Sequence, residues 1–253
     1  MAAKNAAPSA KRVMAGRIAT FITFLAGIFA LASLVTYDPG DPPLGDNSPV
    51  RNLGGTWGSL LAYHLFAVLG FGSYLAVGLG MTLAAAHVAL GLVPRRLWVS
   101  IVSMAAAVFL SLSLVSFDAA NDSHRAYVYD HPIHNWCGLM GATLSYYLLD
   151  YIGLGVWVLL AAVLAGVGAY VFRRDVKDPI LRSIGMVLLA CFVSGLVATL
   201  HEQRLLQPQE FEHLPVGQGG VLGKFMADTF LLGIGNVGAY LLLLVIAGVG
   251  LIL

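Results

Sequence analysis

The chain has 253 residues, of which 58% are hydrophobic and 11% charged, whereas about a quarter of a soluble domain is charged. That deficit excludes a water-soluble globule, and a formal net charge of +1 does not advertise nucleic acid as a direct partner. What remains is an all-α, polytopic transmembrane domain.

In chain order, residues 1–17 form a tail carrying Lys4, Lys11, Arg12 and Arg17, and Ile18–Thr36 is the first apolar stretch. The basic start and Ala30-Leu31-Ala32 also fit a signal peptide with a small-residue cleavage site. The repeat described below argues for a permanent helix instead. Next comes Trp57–Val93, which as one helix would measure roughly 54 Å at 1.5 Å per residue. A hydrocarbon core is only about 30 Å thick, so the run is too long for one span and too short for two. Gly70-Phe71-Gly72 offers a break, which predicts a short interfacial or re-entrant helix at Gly58–Leu69 and a span from Phe71 to Val93. Leu97–Ser116, Leu154–Phe172, Ser183–Leu200 and Gly235–Leu253 bring the expectation to about six spans. They group as helical hairpins at 18–93, 94–172 and 173–253.

Lys4, Lys11, Arg12, Arg17, Arg95, Arg96, Arg173, Arg174, Lys177 and Arg182 all fall on one side of that arrangement, ten of the fourteen Lys and Arg. Positive charge is retained in the cytoplasm during insertion, so the N-terminus is expected inside. Eleven of the thirteen Asp and Glu lie on the outer side.

The outer segments repeat. Asn52-Leu-Gly-Gly-Thr-Trp-Gly58, Asn135-Trp-Cys-Gly-Leu-Met-Gly141 and Gly217-Gln-Gly-Gly-Val-Leu-Gly223 place Gly55/Gly58, Gly138/Gly141 and Gly220/Gly223 in register. The final glycines are 141 − 58 = 83 and 223 − 141 = 82 residues apart. Twelve residues further on stand Gly70, Gly153 and Gly235, each followed by an aromatic: Tyr74, Trp157 and Tyr240. Glycine at such sites permits a tight turn or a close helix approach. Each short helix is expected at the outer interface. In the second copy Thr143, Tyr146, Tyr147 and Asp150 are expected on one face, with Leu144 and Leu148 on another. In the third, Lys224 and Asp228 are spaced to pair at i,i+4. Gly78-Leu-Gly80 and Gly166-Val-Gly168 permit close helix contacts within or between chains.

No site for membrane chemistry emerges. Gly233-Ile-Gly235-Asn-Val-Gly238 matches a dinucleotide fingerprint, but it opens an apolar helix where a βαβ unit is required. Gly219-Gly-Val-Leu-Gly-Lys224-Phe225 lacks the first glycine and the Ser/Thr of a phosphate loop. His131, His134 and nearby His124 read as solvated loop histidines, with Pro132 breaking helical ligand spacing. His87 lies near the cytoplasmic end of its span, not at the midplane where transporters place functional charge. Cys137 and Cys191 read as isolated small hydrophobes. No catalytic, cofactor or metal residue is therefore assigned.

Leu34-Val-Thr-Tyr37-Asp38-Pro39-Gly-Asp41-Pro42-Pro43, followed by Val50-Arg-Asn52-Leu-Gly54-Gly55-Thr-Trp-Gly58, resembles the N-terminal membrane domain of FtsK/SpoIIIE-type DNA translocases. In that family the first span ends in an Asp-Pro loop, followed by an Asn-Leu-Gly-Gly turn and an Ala-Asp-Thr-Leu-like interfacial helix. Ala227-Asp228-Thr-Phe230 resembles that helix again. The resemblance implies a septal membrane anchor that recruits cell-division membrane proteins, self-associates (six copies, if a hexameric motor follows) and meets DNA only through that motor. ATP and magnesium would belong to the motor, with no cofactor in this stretch. The familiar domain has four spans where this chain reads as six, and the chain looks truncated before a cytoplasmic linker and motor. A small transporter or channel, or a scaffold without a motor, is the alternative reading of the residues.

Overall fold

The computed structural model describes residues 10–90, 94–118, 134–203 and 216–253. Their regular structure is helical, as a lipid-exposed chain requires if its backbone N–H and C=O groups are to be satisfied within each segment. The helices are α1 (Ala10–Val35), α2 (Gly55–Leu69), α3 (Gly72–Leu90), α4 (Arg95–Val115), α5 (Gly138–Ile152), α6 (Val156–Val171), α7 (Pro179–Glu202) and α8 (Gly220–Ile252). Five stretches are each long and apolar enough to cross a membrane, and the bent pair α2–α3 makes a sixth. The chain is a multi-pass, all-α membrane protein. Its apolar side chains face outward in the manner of a lipid-solvated surface, Leu232 being 90% exposed.

The chain divides into two compact units, residues 1–105 and 106–253, with the boundary inside α4. In the first unit α1 packs along α3 and against α2. The Trp57–Val93 run does break where the glycines stand: α2 and α3 meet at 110°. Gly70 at the corner has φ +54°, a conformation that disfavours any side chain. Where α1 packs along α3, a Cβ on Gly27 would run into the Met81 side chain.

In the second unit the most extensive pairing is α7 with α8, while α5 lies against α8 and α6 against α7. A Cβ on Gly185 would stand 2.7 Å from Gly250 O, and one on Gly250 2.9 Å from Gly185 O, so these two glycines set the backbone approach. Small residues at helix contacts are how membrane helices pack without a hydrophobic driving force. Within the chain the stripes Gly78/Gly80 and Gly166/Gly168 are not used this way, since a Cβ on any of them would meet nothing within 4 Å. Leu114, Tyr146, Leu149, Val156 and Leu160 form an apolar cluster in this unit.

The buried face of α5 lies between the two faces that the sequence distinguishes. Gly138, Gly141, Ala142, Ser145, Tyr146 and Leu149 point inward, whereas Tyr147 and Leu144 are exposed. The smallest side chains allow the closest approach, and Ser145 hides its polarity by donating to Gly141 O at 2.9 Å. Nor do Lys224 and Asp228 pair: both are exposed on α8, and an exposed i,i+4 pair is worth only about 0.3–0.5 kcal/mol.

Candidate functional site

The sequence motifs converge at the turns expected on the outer side, and the geometry builds from the ends of the helices. α1 terminates with Thr36, whose hydroxyl donates to Ala32 O at 2.7 Å. The Thr36 hydroxyl oxygen in turn accepts the Leu53 N–H at 3.0 Å. Asn52, only 4% exposed, donates its amide to Ser33 O at 2.8 Å and to Thr36 O at 3.3 Å. Its Oδ1 accepts the Gly54 N–H at 2.9 Å. One side chain thus satisfies carbonyls left open at the end of α1 and starts the turn into α2.

The second hairpin repeats four of these bonds. Ser116 donates to Leu112 O at 2.7 Å and accepts Trp136 N–H at 3.0 Å. Asn135 donates to Ser113 O at 2.8 Å, and its Oδ1 accepts Cys137 N–H at 2.9 Å. Thr36, Asn52 and Gly54 therefore correspond to Ser116, Asn135 and Cys137.

The turn itself recurs three times. Gly55, Gly138 and Gly220 have φ +62°, +61° and +64°. Their N–H groups donate to the oxygens of Asn52, Asn135 and Gly217 at 2.8, 2.9 and 3.1 Å. Gly58, Gly141 and Gly223 follow, donating to Gly54 O, Cys137 O and Gly219 O at 3.0, 3.0 and 3.1 Å. A Cβ on Gly58 would overlap Asn52 Oδ1, one on Gly141 would overlap Asn135 Oδ1, and one on Gly223 would overlap Ser194 O. Twelve residues on, Gly70, Gly153 and Gly235 take φ +54°, +68° and +69°.

Two aromatics of the returning spans tie back to the span before. Tyr74 donates to Leu34 O at 3.1 Å, and Tyr240 donates to Gln203 Oε1 at 2.7 Å. Tyr37, Phe66 and Tyr74 line up beside the first bend, with ring centroids 5.1 and 5.7 Å apart.

The first clasp has an outer layer built on Asp41, 1% exposed. Its carboxylate accepts Asn47 Nδ2 at 2.9 Å, Arg51 N–H at 3.0 Å and Asn52 N–H at 2.8 Å. Burial pushes this carboxyl up, but those three hydrogen bonds and the Arg51 charge together hold it below the ordinary carboxylate value. Asp38 caps the loop by accepting Gly40 N–H at 2.8 Å and pairing with Arg51 at 3.1 Å. Ser59, buried on α2, donates to Pro42 O, and Pro39 is exposed.

So Tyr37, Asp38, Asp41, Pro42, Asn52, Gly54, Gly55, Gly58 and Gly70 come together in one assembly. Gly138 and Gly141 stand in its second copy, and Gly153, Gly220 and Gly223 meet in a third arrangement. Asp228 and Gly235 lie exposed on α8, away from these clusters. His131 and His124 lie outside the described residues, and His134 is exposed. Among the described residues, no three His, Cys, Asp or Glu side chains are grouped to hold a metal.

Reading the sequence missed three residues. Ser33, Ser113 and Ser194 are fully buried, and their hydroxyls donate to Phe29 O at 2.8 Å, Gly141 O at 2.7 Å and Ile152 O, respectively. Their spacing, 113 − 33 = 80 and 194 − 113 = 81, runs in step with the glycines and was the available signal.

What the assembly does is hold shape and present a surface. Leu53 and Trp57 stand 78% and 81% exposed beside the first turn, as Trp136 and Met140 do, less fully, beside the second. Tryptophan at this level suits a membrane interface.

Comparison with known proteins places this geometry. The family model described as the 4TM region of DNA translocase FtsK/SpoIIIE matches residues 14–102 and 95–253. Two proteins named DNA translocase FtsK 1, from Neisseria meningitidis serogroup B and serogroup A, are each 28% identical over 160 residues. That stretch is 61% of this chain and 19% of each relative, so the similarity spans about a fifth of the relatives' length. No solved structure matches the chain.

Proposed function

This chain belongs to the family of the 4TM region of DNA translocase FtsK/SpoIIIE, and from that premise we propose that it is the membrane-anchoring domain of an ATP-driven DNA translocase acting in cell division and chromosome segregation. The observation that carries the reading is the family match, which runs through both Asn-centred clasps and all three glycine turns.

In this reading the chain itself performs no catalysis. ATP, magnesium and DNA are handled by a cytoplasmic motor, and the membrane domain fixes where that motor works. The domain sits in the bacterial inner membrane at the division septum, with its N-terminus in the cytoplasm, which is supported by the ten Lys and Arg on one side of the spans. It self-associates, in six copies if the motor is hexameric, and it docks cell-division membrane proteins. The clasps support docking because they hold Leu53, Trp57, Trp136 and Met140 in fixed positions at little entropic cost on binding.

A fluorescent fusion of the chain in dividing cells tests this. It is expected to collect at mid-cell, and the double variant Trp57→Ala/Trp136→Ala, which changes the exposed surface and leaves both clasps intact, to spread over the membrane at unchanged abundance. Uniform membrane fluorescence of the wild-type fusion through division contradicts the reading.

A further inference from the structure

Within the second unit, the break of one hairpin is seated on the glycine turn of the next. Leu154 N–H donates to Gln218 O at 2.9 Å. A Cβ on Gly153 would overlap Gln218 O and Gly219, and one on Gly220 would stand 2.5 Å from Gly153 N and 2.9 Å from Asp150 O. Ser194 seals the joint by donating to Ile152 O. Gly153, Gly155, Gly219 and Gly220 are all buried there. The break and the turn are therefore complementary surfaces of one repeating unit, matched at the level of backbone atoms.

The first turn and the last break carry the same surfaces uncovered. The turn that begins the series is bare on this side: Leu53, equivalent to Gln218, is 78% exposed, and a Cβ on Gly55 would meet nothing within 4 Å. The break that ends the series is bare too. Gly233, Ile234, Gly235 and Asn236 are all exposed, and a Cβ on Gly233 or Gly235 would likewise meet nothing. The positive φ of Gly55 and Gly235 explains glycine at those two positions.

We infer that the break at Gly233–Asn236 of one copy of this chain seats on the glycine turn at Leu53–Gly55 of a second copy, reproducing between chains the joint that Gly153–Leu154 makes with Gln218–Gly220 within one. Asn236 then takes the place of Leu154, its N–H donating to Leu53 O. Both surfaces lie at the outer side in the arrangement of spans derived above, so two copies in one membrane meet without either leaving the bilayer. The contact is heterologous, head to tail, and propagates to a closed ring or an open row. It specifies the surfaces of the self-association proposed above and rests on that reading.

The test uses the whole chain in membranes with Cys137 and Cys191 replaced by alanine. Two separately tagged versions, L53C and N236C, are made alone and together, and treated with a short bis-maleimide. L154C/Q218C in a single chain reports the internal joint. The expected result is a cross-linked L53C–N236C dimer when the two are co-expressed, none from either alone, and an internal cross-link in the L154C/Q218C chain. Oligomers by single-molecule photobleaching without the mixed cross-link, or with L53C joining to L53C, overturn the head-to-tail joint and leave self-association standing. Monomers by photobleaching, with the internal cross-link intact, overturn both.

Discussion

The turns at Gly55 and Gly220 have the same backbone, with φ +62° and +64°, yet they are held in place by different means. The first is fastened by side chains: Asn52 reaches the carbonyls of Ser33 and Thr36, Thr36 receives Leu53, and Asp41 locks the loop in front. At the third turn Gly217 stands where Asn52 and Asn135 stand in the other copies. There Gly219 and Gly223 bring the backbone directly against Ser194 O, and the break at Gly153 covers the outside. A side-chain clasp leaves the turn's outer surface available, whereas a glycine seat uses that surface up. What the repeat preserves is the path of the chain, and each copy reaches it with the partners its surroundings provide.

The comparison breaks first at the second glycine of each turn. Gly223→Ala is expected to destabilise most, about 3 kcal/mol, because it presses on a backbone carbonyl that cannot swing aside, and Gly58→Ala about 1–2 kcal/mol, because Asn52 can shift. Unfolding in detergent or lipid measures both, and equal losses would mean the two turns are held alike.

Next come the clasps. Asn52→Ala and Asn135→Ala should each cost about 2 kcal/mol by leaving buried carbonyls and an N–H unpaired. Gly217→Ala, where a Cβ meets nothing but φ is +84°, should cost only about 1 kcal/mol from the left-handed backbone. A Gly217 variant as damaging as the asparagine variants would contradict a side-chain-free third turn.

How much of this was legible beforehand follows from what one-dimensional spacing can carry. Glycines at 55, 138 and 220 and at 70, 153 and 235 are visible because a positive φ admits little else. Asn52 was visible as part of a motif, but not as the residue that closes α1. Ser33, Ser113 and Ser194 were invisible because a serine in an apolar span reads as a helix residue bonding its own backbone, as Ser33 does. Only their period betrays them. The buried face of α5 was not legible because in lipid the contact face is chosen by small volume, and hydrophobicity no longer separates inside from outside. The Gly185–Gly250 contact joins positions 65 residues apart by subtraction, and no local pattern announces it.

A smaller effect is expected from acid. Asp41 is held below the ordinary carboxylate value in the folded chain, so its contribution is complete above about pH 3.9 and is lost as pH falls through its lower folded value. Limited proteolysis of the loop at residues 37–54 should show protection fading across that window in wild type. Asp41→Asn should remove the step and leave the loop open at every pH. The smallest change concerns Cys137, fully buried with its thiol raised by that burial. It should resist maleimide in the folded protein and label faster in Asn135→Ala, which frees its N–H. Equal labelling would place the second clasp elsewhere.

The central claim is that the chain is three related hairpins whose glycine turns all stand on the outer side of the membrane. Single cysteines at Leu53, Trp136 and Gln218, in a chain without Cys137 and Cys191, test it with a membrane-impermeant maleimide added to intact spheroplasts. All three are expected to label from outside, while cysteines at Arg95 and Arg173 label only after the membrane is permeabilised. Protection of any one of the three turns, or outside labelling at Arg95 or Arg173, would contradict the account.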